Sequence, residues 1–457
     1  MNNHWWNESL AYSANTDVGM RRSNNQDAYF VELASTLRLW NTKGHLFIVA
    51  DGMGAHAAGE RASSLATKVV SQSYLKRTNE TQPEALKNAI LEAHATIKKQ
   101  GEIDPSFENM GTTCDSLVLL PDRAYIGHVG DSRVYRLRDN VVEQMTFDHS
   151  LDWEVKYKSC STANSVCRQI SHVPKNIITR SLGPTEKLIV DVEGPFKTKP
   201  GDAFLLCSDG LSGQVADHEI GQILNIFQPE DATESLINLA NLRGGPDNVT
   251  VVIARVKTAQ KSEEIEQEIK KTAKIYENRP PLNAAAISSL IAAFVFGMLA
   301  VALLIFEAFD KKVPSEGQVA ETVSIDVTTW LLCGSAALFL VSVGLFLYFG
   351  RATLFRRPEA ENMSFGSAPY TRASALPTAE FNANIFAVCD ELCIVLNNDE
   401  QGEKIAFKPD WKGINEARRR ADADAKAGDY ASSIRANLSV VNYIMREYKK
   451  NSPQKKK

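Results

Sequence analysis

The sequence lacks the features that mark several common classes of protein. Its seven cysteines show no paired metal-ligand spacing, and an odd, scattered set is more typical of reduced thiols than of a disulfide framework. There is no glycine-rich nucleotide-binding fingerprint, and no Cys-x₅-Arg loop that would supply a cysteine nucleophile. The formal net charge of −4 comes without a basic, aromatic-laced stripe, so we expect no nucleic-acid partner.

Two long stretches contain no charged residue, in a chain whose charged fraction is 23%. Residues 282–306 and 327–350 each exceed the roughly 20 residues that cross a bilayer. Their glycines and alanines are compatible with close contact between helices in lipid. We predict a transmembrane helix over each stretch, with residues 307–326 as a short external loop; a pair of buried core helices is the alternative.

Lysine and arginine are distributed asymmetrically around the two predicted spans. The residues that flank the spans on their outer sides are Lys270, Lys271, Lys274 and Arg279 before the first, and Arg351, Arg356 and Arg357 after the second. The connecting loop has only Lys311 and Lys312, among several acidic residues. Because positively charged flanks stay on the cytoplasmic side, we predict a cell-membrane protein whose N-terminal domain (residues 1–257) and C-terminus are both cytoplasmic.

Acidic residues stand at the ends of four strand-like apolar runs in the N-terminal part. Asp51, Asp131 and Asp209 each follow such a run beside a glycine, and Asp247 comes just before another. Converging carboxylates repel one another unless a cation lies between them, and ligand sets made only of oxygen select Mg²⁺ or Mn²⁺ over zinc. Four unrelated solvent-exposed turns are the alternative, since Asp-Gly is a common turn pair.

The overall pattern divides the chain into a mixed N-terminal domain and a smaller C-terminal part. Residues 1–257 combine strands at hairpin spacing with amphipathic helices, which favours an α+β fold of layered antiparallel sheets over a doubly wound parallel sheet. Residues 258–281 are charged and indicate a helical linker, and residues 351–380 indicate a flexible tether. Residues 381–457 form a mainly helical module of unknown role, with a strand-like apolar start.

Eight motifs in the N-terminal part occur in a characteristic order between Asp17 and Val256. They are TDVGMRRSNNQDAYF, VADGMGAHAAGE, GTTCDSLVL, AYIGHVGDSRVYRL, MTFDHSL, NIITRSLGP, LLCSDGLSG and GGPDNVTVVIARV. In this order they resemble the metal-dependent serine/threonine protein phosphatases, the protein phosphatase 2C (PPM) family, in its bacterial form. The resemblance implies a four-layer α-β-β-α sandwich with a two-metal site at one end, and it does not extend to the membrane or C-terminal parts.

The resemblance also assigns metal ligands to named positions. By it, Asp51 bridges two metal ions, and Gly52 contributes its carbonyl oxygen to one of them. Asp209 and Asp247 are the other carboxylates at the first metal. Asp131, with Asp209 shared, binds a third and weaker ion. The implied cofactors are Mn²⁺ or Mg²⁺.

Two further residues complete the implied catalytic set. Arg22, preferred over Arg21 because of its spacing to Asp27, holds the substrate phosphate, and Asp27 hydrogen-bonds a metal-bound water. The guanidinium of Arg22 offers a two-pronged donor suited to phosphate oxygens; an ordinary surface arginine is the alternative. The predicted catalytic residues are therefore Arg22, Asp51 and Asp209, with Asp27 in support.

The chain departs from the family pattern at two positions. Met53 stands where the eukaryotic branch carries a general-acid histidine, so the resemblance leaves the general acid unidentified. Gln26 stands where many members have glutamate, which predicts weaker binding of the second metal ion. Residues 151–176 match the flap that is expected to contact substrate, but their composition does not indicate which substrate.

The sequence therefore predicts a membrane-anchored enzyme that hydrolyses phosphoserine and phosphothreonine in proteins through a water activated by two metal ions. Its expected partners are phosphorylated proteins, with a serine/threonine kinase and its substrates among them. The alternative is a catalytically inactive membrane scaffold that binds phosphoproteins. Retention of all four key aspartates argues against the scaffold, because an inactive relative is expected to lose metal ligands.

Overall fold

The computed structural model describes residues 9–55, 57–155, 177–257, 370–401 and 407–451. The chain divides into two compact units, Met1–Ala259 with Glu361–Lys457, and Gln260–Ala360; every described residue belongs to the first unit. The predicted linker, both predicted transmembrane helices and the external loop lie outside the described residues, as do residues 156–176 of the predicted flap. No helix within the described ranges is long and apolar enough to span a bilayer.

Two antiparallel sheets form the centre of the first unit. Sheet A contains, from edge to edge, β1 (Leu10–Asp17), β11 (Val249–Val256), β10 (Ala203–Cys207), β7 (Arg133–Arg138), β8 (Val141–Gln144) and β12 (Thr371–Ser374). Sheet B contains β2 (Asp27–Glu32), β3 (His45–Met53), β5 (Cys114–Leu119), β6 (Arg123–Val129) and β9 (Asp191–Lys197), with β4 (Gly111–Thr112) paired to β3.

The described helices are α1 (Leu37–Thr42), α2 (Ala58–Lys76), α3 (Gln82–Ile103), α4 (Asp209–Ser212), α5 (Asp217–Ile226), α6 (Pro229–Leu242), α7 (Ala379–Gln401), α8 (Trp411–Lys426) and α9 (Tyr430–Asn451). Helices α2 and α3 share a hydrophobic core with sheet B. Helices α5 and α6 share another with sheet A.

Alternation of side chains along the central strands explains this layering. In β3, Ile48 faces α2 and α3, whereas Phe47 belongs to the core between the two sheets. In β10, Leu205 faces the helices of sheet A, and Phe204 belongs to the core between the sheets. Since successive residues of a strand point to opposite faces, a strand covered on both faces must be apolar throughout. The predicted α+β fold, a four-layer α-β-β-α sandwich, is confirmed.

The C-terminal residues are part of this sandwich. Strand β12 extends sheet A by pairing antiparallel with β8, and so covers an edge whose backbone groups would otherwise be exposed. Phe381 of α7, together with Ile434 and Leu438 of α9, is buried in the same hydrophobic core as Leu205 of β10. The C-terminal part therefore completes the outer layer of sheet A.

Buried hydrogen bonds also join α9 to α6. Asn238 Nδ2 donates to Asn442 Oδ1 at 3.0 Å, and Asn442 Nδ2 donates to Ser235 Oγ at 2.9 Å. Buried amide groups need such partners, because an unpaired one would cost about 1–3 kcal/mol. The pairing therefore selects one position of α9 against α6.

The flexible tether predicted over residues 351–380 is wrong for its last part. Thr371–Ser374 is strand β12, and Tyr370 and Ala375 on either side donate backbone N–H groups to Gln144 and Asn140. The physical reason is that β8 offers an open edge, and even a polar four-residue segment gains regular hydrogen bonds there. Such pairing depends on residues far away in the sequence.

The strand-like start predicted for the C-terminal module is also wrong, because the apolar run lies within helix α7. The buried residues of the run recur every three or four positions, which is the helical period; they are Phe381, Ile385, Cys389, Cys393 and Leu396. The exposed residues Ile394 and Val395 fill the gaps and obscure that period in the sequence.

Phe381→Ala should destabilise the first unit by about 3–5 kcal/mol, because it leaves a cavity where a ring that is only 2% exposed now packs. Ile394→Ala on the same helix is the matched control, since Ile394 is 54% exposed and its loss should cost about 0.5 kcal/mol or less. Thermal unfolding of the purified full chain measures both. Equal stability of the two variants would show that α7 is not part of the core.

Candidate active site

The strand registers bring the predicted aspartates to one end of the sandwich. In sheet B, Asp27 at the start of β2 lies directly opposite Asp51 of β3, so their side chains are on the same face. In sheet A, β10 is antiparallel to both β7 and β11. Asp209, just after β10, therefore lies near Asp131, just before β7, and Asp247, just before β11.

Asp51 is held in place through its backbone. Its N–H donates to Thr113 Oγ1 at 2.8 Å, and its carbonyl oxygen accepts from the N–H of Thr113 and the hydroxyl of Thr112, both at 2.9 Å. The next residue, Gly52, packs so closely that a Cβ there would lie 2.0 Å from the carbonyl oxygen of Gly59. Position 52 is therefore restricted to glycine, and the carboxylate before it is fixed at the cluster.

Asp27 is buried, and one of its two carboxylate oxygens is paired. Its Oδ2 accepts from Ser208 Oγ and Thr250 Oγ1, both at 2.7 Å, whereas Oδ1 has no hydrogen-bond partner among the described residues. Burial raises the pKa of Asp27 to about 6, and the charges of Asp209 and Asp247 add to the rise although the two hydroxyls oppose it. The Asp27 carboxyl thus lies in surroundings with too little positive charge.

The remaining carboxyl groups are in the same condition. Burial and the charge of Asp209 raise the pKa of Asp131 to about 7. Burial and the neighbouring aspartates raise the pKa of Asp51 well above its ordinary value, and burial together with Asp247 raises that of Asp209. The Oδ1 atoms of Asp131 and Asp209 are buried and accept no hydrogen bond within the described part of the chain. Burial and mutual repulsion both disfavour the charged forms.

Arg22 lies at the rim of this carboxylate cluster. Its Nη2 donates to Asp247 Oδ2 at 2.8 Å, and 49% of the arginine side chain is exposed. The structure thus brings together all of the side chains predicted for the site, namely Arg22, Asp27, Asp51, Asp131, Asp209 and Asp247.

The donor set of the cluster fits a hard cation such as Mg²⁺ or Mn²⁺, because it offers only carboxylate and backbone oxygens. The unpaired buried oxygens of Asp27, Asp131 and Asp209 are acceptors that a cation would satisfy. No three His, Cys, Asp or Glu side chains in the described ranges are already closed around one ion position. Arg22 donates to Asp247 Oδ2 instead. The carboxylates therefore lie close together, but their side chains must rotate before they can bind an ion.

Comparison with known proteins identifies the family of the chain. The family model for protein phosphatase 2C matches residues 20–241. A putative protein phosphatase 2C-type protein of Streptococcus pyogenes is 34% identical over 263 residues, which cover 56% of this chain and 100% of that protein. The chain belongs to the protein phosphatase 2C family. Members of this family are serine/threonine protein phosphatases that use Mn²⁺ or Mg²⁺.

Longer relatives match over the same part of the chain. The serine/threonine protein phosphatase PstP of Mycobacterium tuberculosis is 34% identical over 252 residues, which are 54% of this chain and 45% of PstP. This protein phosphatase 2C chain therefore spans less than half the length of that relative. A crystal structure of the PstP catalytic domain with two manganese ions matches with a TM-score of 0.45 and 33% identity, over 54% of this chain and 98% of that one.

Sequence reasoning gave no role to His149, although it lies in the MTFDHSL motif of this protein phosphatase 2C chain. Its backbone N–H donates to the carbonyl of Gly130 at 2.7 Å, and its Nδ1 accepts from the N–H of Gly130 at 3.1 Å. Because Nδ1 accepts, the ring proton is on Nε2, which donates to Asp191 Oδ2 at 2.9 Å. His149 therefore fixes the backbone beside Asp131. Its place in the motif was the signal available in the sequence.

Gln26, which departs from the family pattern, connects the start of β2 to the end of β3 by hydrogen bonds. Its carbonyl accepts from the N–H of Gly52 at 3.1 Å, and its Nε2 donates to the carbonyl of Gly54 at 3.3 Å. Neither contact measures affinity for an ion, so weaker binding of a second metal stays a prediction.

Asp131→Asn should stabilise the metal-free protein, and by more at pH 7 than at pH 4. The folded-state pKa of Asp131 is raised from 3.8 to about 7, so between these values the folded state binds a proton that the unfolded state has lost. The wild type therefore loses stability from this group as the pH rises through the window, whereas the amide carries no charge. Thermal unfolding in chelator at a series of pH values measures the difference.

The matched control is Asp122→Asn, because the side chain of Asp122 is 72% exposed and is not one of the clustered carboxylates. In excess Mn²⁺ the order should reverse, since the wild type binds the ion with a full set of carboxylates. If Asp131→Asn were less stable than the wild type in chelator at pH 7, the described crowding of negative charge would be wrong.

Proposed function

We propose that this chain is a membrane-anchored, metal-dependent protein phosphatase that hydrolyses phosphoserine and phosphothreonine in proteins. The observation that carries the proposal is the set of unpaired, buried carboxylate oxygens at one end of the sandwich, with Arg22 at its rim. Such a set binds divalent cations, and a guanidinium beside it is suited to phosphate oxygens. The names of the relatives support the same reaction class.

Three carboxylates and one carbonyl would hold two ions: Asp51, Asp209 and Asp247 with the backbone oxygen of Gly52. Asp131 would bind a third ion together with Asp209. When bound, Mn²⁺ or Mg²⁺ lowers the pKa of water and neutralises charge on the phosphate. Asp247 Oδ2 now accepts from Arg22, so an ion that used this oxygen would displace the guanidinium.

Release of Asp247 frees Arg22 for the substrate. The side chain is half exposed and already at the mouth of the cluster, so it reaches a bound phosphate without unfolding the loop around it. Its two parallel N–H donors bind two phosphate oxygens at once, which a lysine ammonium does not do. Arg22 therefore orients the phosphate with respect to Asp51 and Asp209.

Asp27 is placed to accept a hydrogen bond from a water in the cluster. Ser208 and Thr250 fix the plane of its carboxyl group through Oδ2, and Oδ1 remains without a partner within the described ranges. Burial and the charges of Asp209 and Asp247 raise the pKa of Asp27 in the metal-free site. Bound cations would lower it again, so Asp27 would be a carboxylate with Oδ1 as the accepting atom.

Hydrolysis of a phosphothreonine peptide by the full chain tests the proposal. Turnover should require added Mn²⁺, and Asp51→Asn or Asp209→Asn should reduce it by about a thousandfold or more, because each removes a ligand of the ion pair. Arg22→Ala should lower kcat/KM by about 100-fold, because a charge-assisted hydrogen bond contributes about 2–3 kcal/mol of binding free energy. Arg21→Ala is the matched control and should change little, since Arg21 is exposed.

Metal titration by calorimetry separates this enzyme from an inactive scaffold. The enzyme should bind two Mn²⁺ ions, and Asp209→Asn should remove the binding. A chain that binds phosphopeptide but neither Mn²⁺ ion is a scaffold, and the catalytic proposal would then be wrong.

We further propose that residues 282–306 and 327–350 anchor the chain in the cell membrane, with the catalytic unit and the C-terminus in the cytoplasm. The support is the length of both stretches, their lack of charge and the positive residues on their outer flanks. Phosphorylated proteins at the membrane, including a serine/threonine kinase and its substrates, are the partners that such an enzyme would meet.

Cysteine labelling in intact cells measures this topology. Gly317→Cys in the predicted external loop should react with a membrane-impermeant maleimide, whereas Asp122→Cys, at an exposed site of the catalytic unit, should react only after lysis. Deletion of residues 282–350 should move the chain from the membrane fraction to the soluble fraction. Labelling of Asp122→Cys from outside would reverse the proposed orientation.

A further inference from the structure

The last turn of α9 lies against the loop that carries Arg22. Lys449 Nζ donates to Asp17 Oδ2 at 2.7 Å, across 432 positions of the sequence. Both side chains are partly buried, with 30% of Lys449 and 20% of Asp17 exposed. A partly buried ion pair is screened less than a fully exposed one. Removal of the Lys449 ammonium would leave the partly buried Asp17 carboxylate without its cation, and the uncompensated charge would lower the stability of the fold.

Asp17 is the residue from which the Arg22 loop starts. Its other oxygen, Oδ1, accepts from the N–H of Gly19 and from Asn241 Nδ2 of α6, both at 3.0 Å. Gly19 turns the chain with φ of +81°, and a Cβ at this position would lie 2.1 Å from the carbonyl oxygen of Asp247. The base of the loop is thus held by one carboxylate with three donors, and Lys449 is the charged one.

The loop beyond Gly19 is fastened to the residues that precede β11. The N–H of Met20 donates to the carbonyl of Gly245 at 2.8 Å, and Asn248 Nδ2 donates to the carbonyls of Val18 and Asn24, both at 2.9 Å. Arg22 lies between these points. Val18 and Met20 follow closely after Asp17, so the loop base and Arg22 belong to one hydrogen-bonded segment.

Lys449 is itself held by helix α6. Its Nζ also donates to Asn238 Oδ1 at 3.3 Å, and Asn238 is the residue that hydrogen-bonds Asn442 of α9. Burial alone would raise the pKa of Asp17, but the hydrogen bond and charge of Lys449, with the bonds from Gly19 and Asn241, hold it below its usual value. Asp17 is therefore ionised, and the contact is between two full charges.

We propose that Lys449 is a positioning residue for the phosphate-binding loop, through which the C-terminal segment sets the affinity of Arg22 for substrate phosphate. The inference rests on the proposed function, because it concerns how Arg22 is presented. Lys449 does not touch the reacting groups and acts through Asp17 and Gly19. Loss of the contact widens the range of positions that Arg22 samples and so weakens phosphate binding.

Kinetics of the full chain on a phosphothreonine peptide, with Mn²⁺ present, test the proposal. Lys449→Met should raise KM by about tenfold and change kcat by less than about twofold, because an interaction with bound substrate is weakened while the chemistry is left in place. Lys449→Arg should keep KM within about threefold of the wild type, since it retains the charge. The matched control is Lys450→Met, because Lys450 pairs with Glu447 of its own helix and should leave KM unchanged.

A double-mutant cycle with Arg22→Ala distinguishes positioning from a general structural role. If Lys449 acts through Arg22, Lys449→Met should cause no further loss of kcat/KM in the Arg22→Ala background. An equal loss in both backgrounds, or the same loss from Lys450→Met, overturns the proposal.

Hydrogen exchange provides a readout that does not depend on turnover. Backbone exchange of residues 18–25 should become faster in Lys449→Met and remain at the wild-type rate in Lys450→Met. A wild type without Mn²⁺-dependent turnover would refute the proposed function, whereas unchanged exchange in Lys449→Met would refute the positioning role. The two failures are therefore separate results.

Discussion

Carboxylate oxygens crowd one end of the two sheets, and their need for positive charge is the constraint on which the site depends. Asp27 and Asp51 face each other across two paired strands, so neither can move away without breaking the ladder. Positive charge must therefore come to them. In this structure Arg22 supplies it to Asp247. The same guanidinium is of the kind that suits phosphate oxygens.

Much of the fold and the site follows from short-range sequence. The strand-like apolar run that precedes Asp209 in the sequence is observed as the strand Ala203–Cys207. The aspartates at such ends then meet because neighbouring strands are antiparallel. What short-range sequence could not predict depends on distant partners. The helical spacing of the buried residues in α7 is recognisable only when the residues that pack against this helix are known. Likewise, the role of Lys449 depends on its contact with Asp17, which is 432 positions away in the sequence.

The family match and the compact unit have different boundaries. The match ends at residue 241, whereas the core of sheet A continues into α7 and α9, more than 130 positions later. The added residues do more than cover an apolar face, because Asn442 pairs with buried groups of α6 and Lys449 reaches the base of the Arg22 loop. One unit is therefore assembled from both sides of residues 258–369, and its two parts share one core.

Strand β12 is the last of the described strands in chain order, yet it covers the edge of β8, which appears early. During synthesis the ribosome adds β8 more than 220 residues before β12, so the edge of β8 stays uncovered for about half of the synthesis of the chain. Nascent chains that stop before residue 371 keep that edge, which is a template for pairing with another polypeptide. Completion of sheet A therefore requires synthesis to continue at least to residue 374.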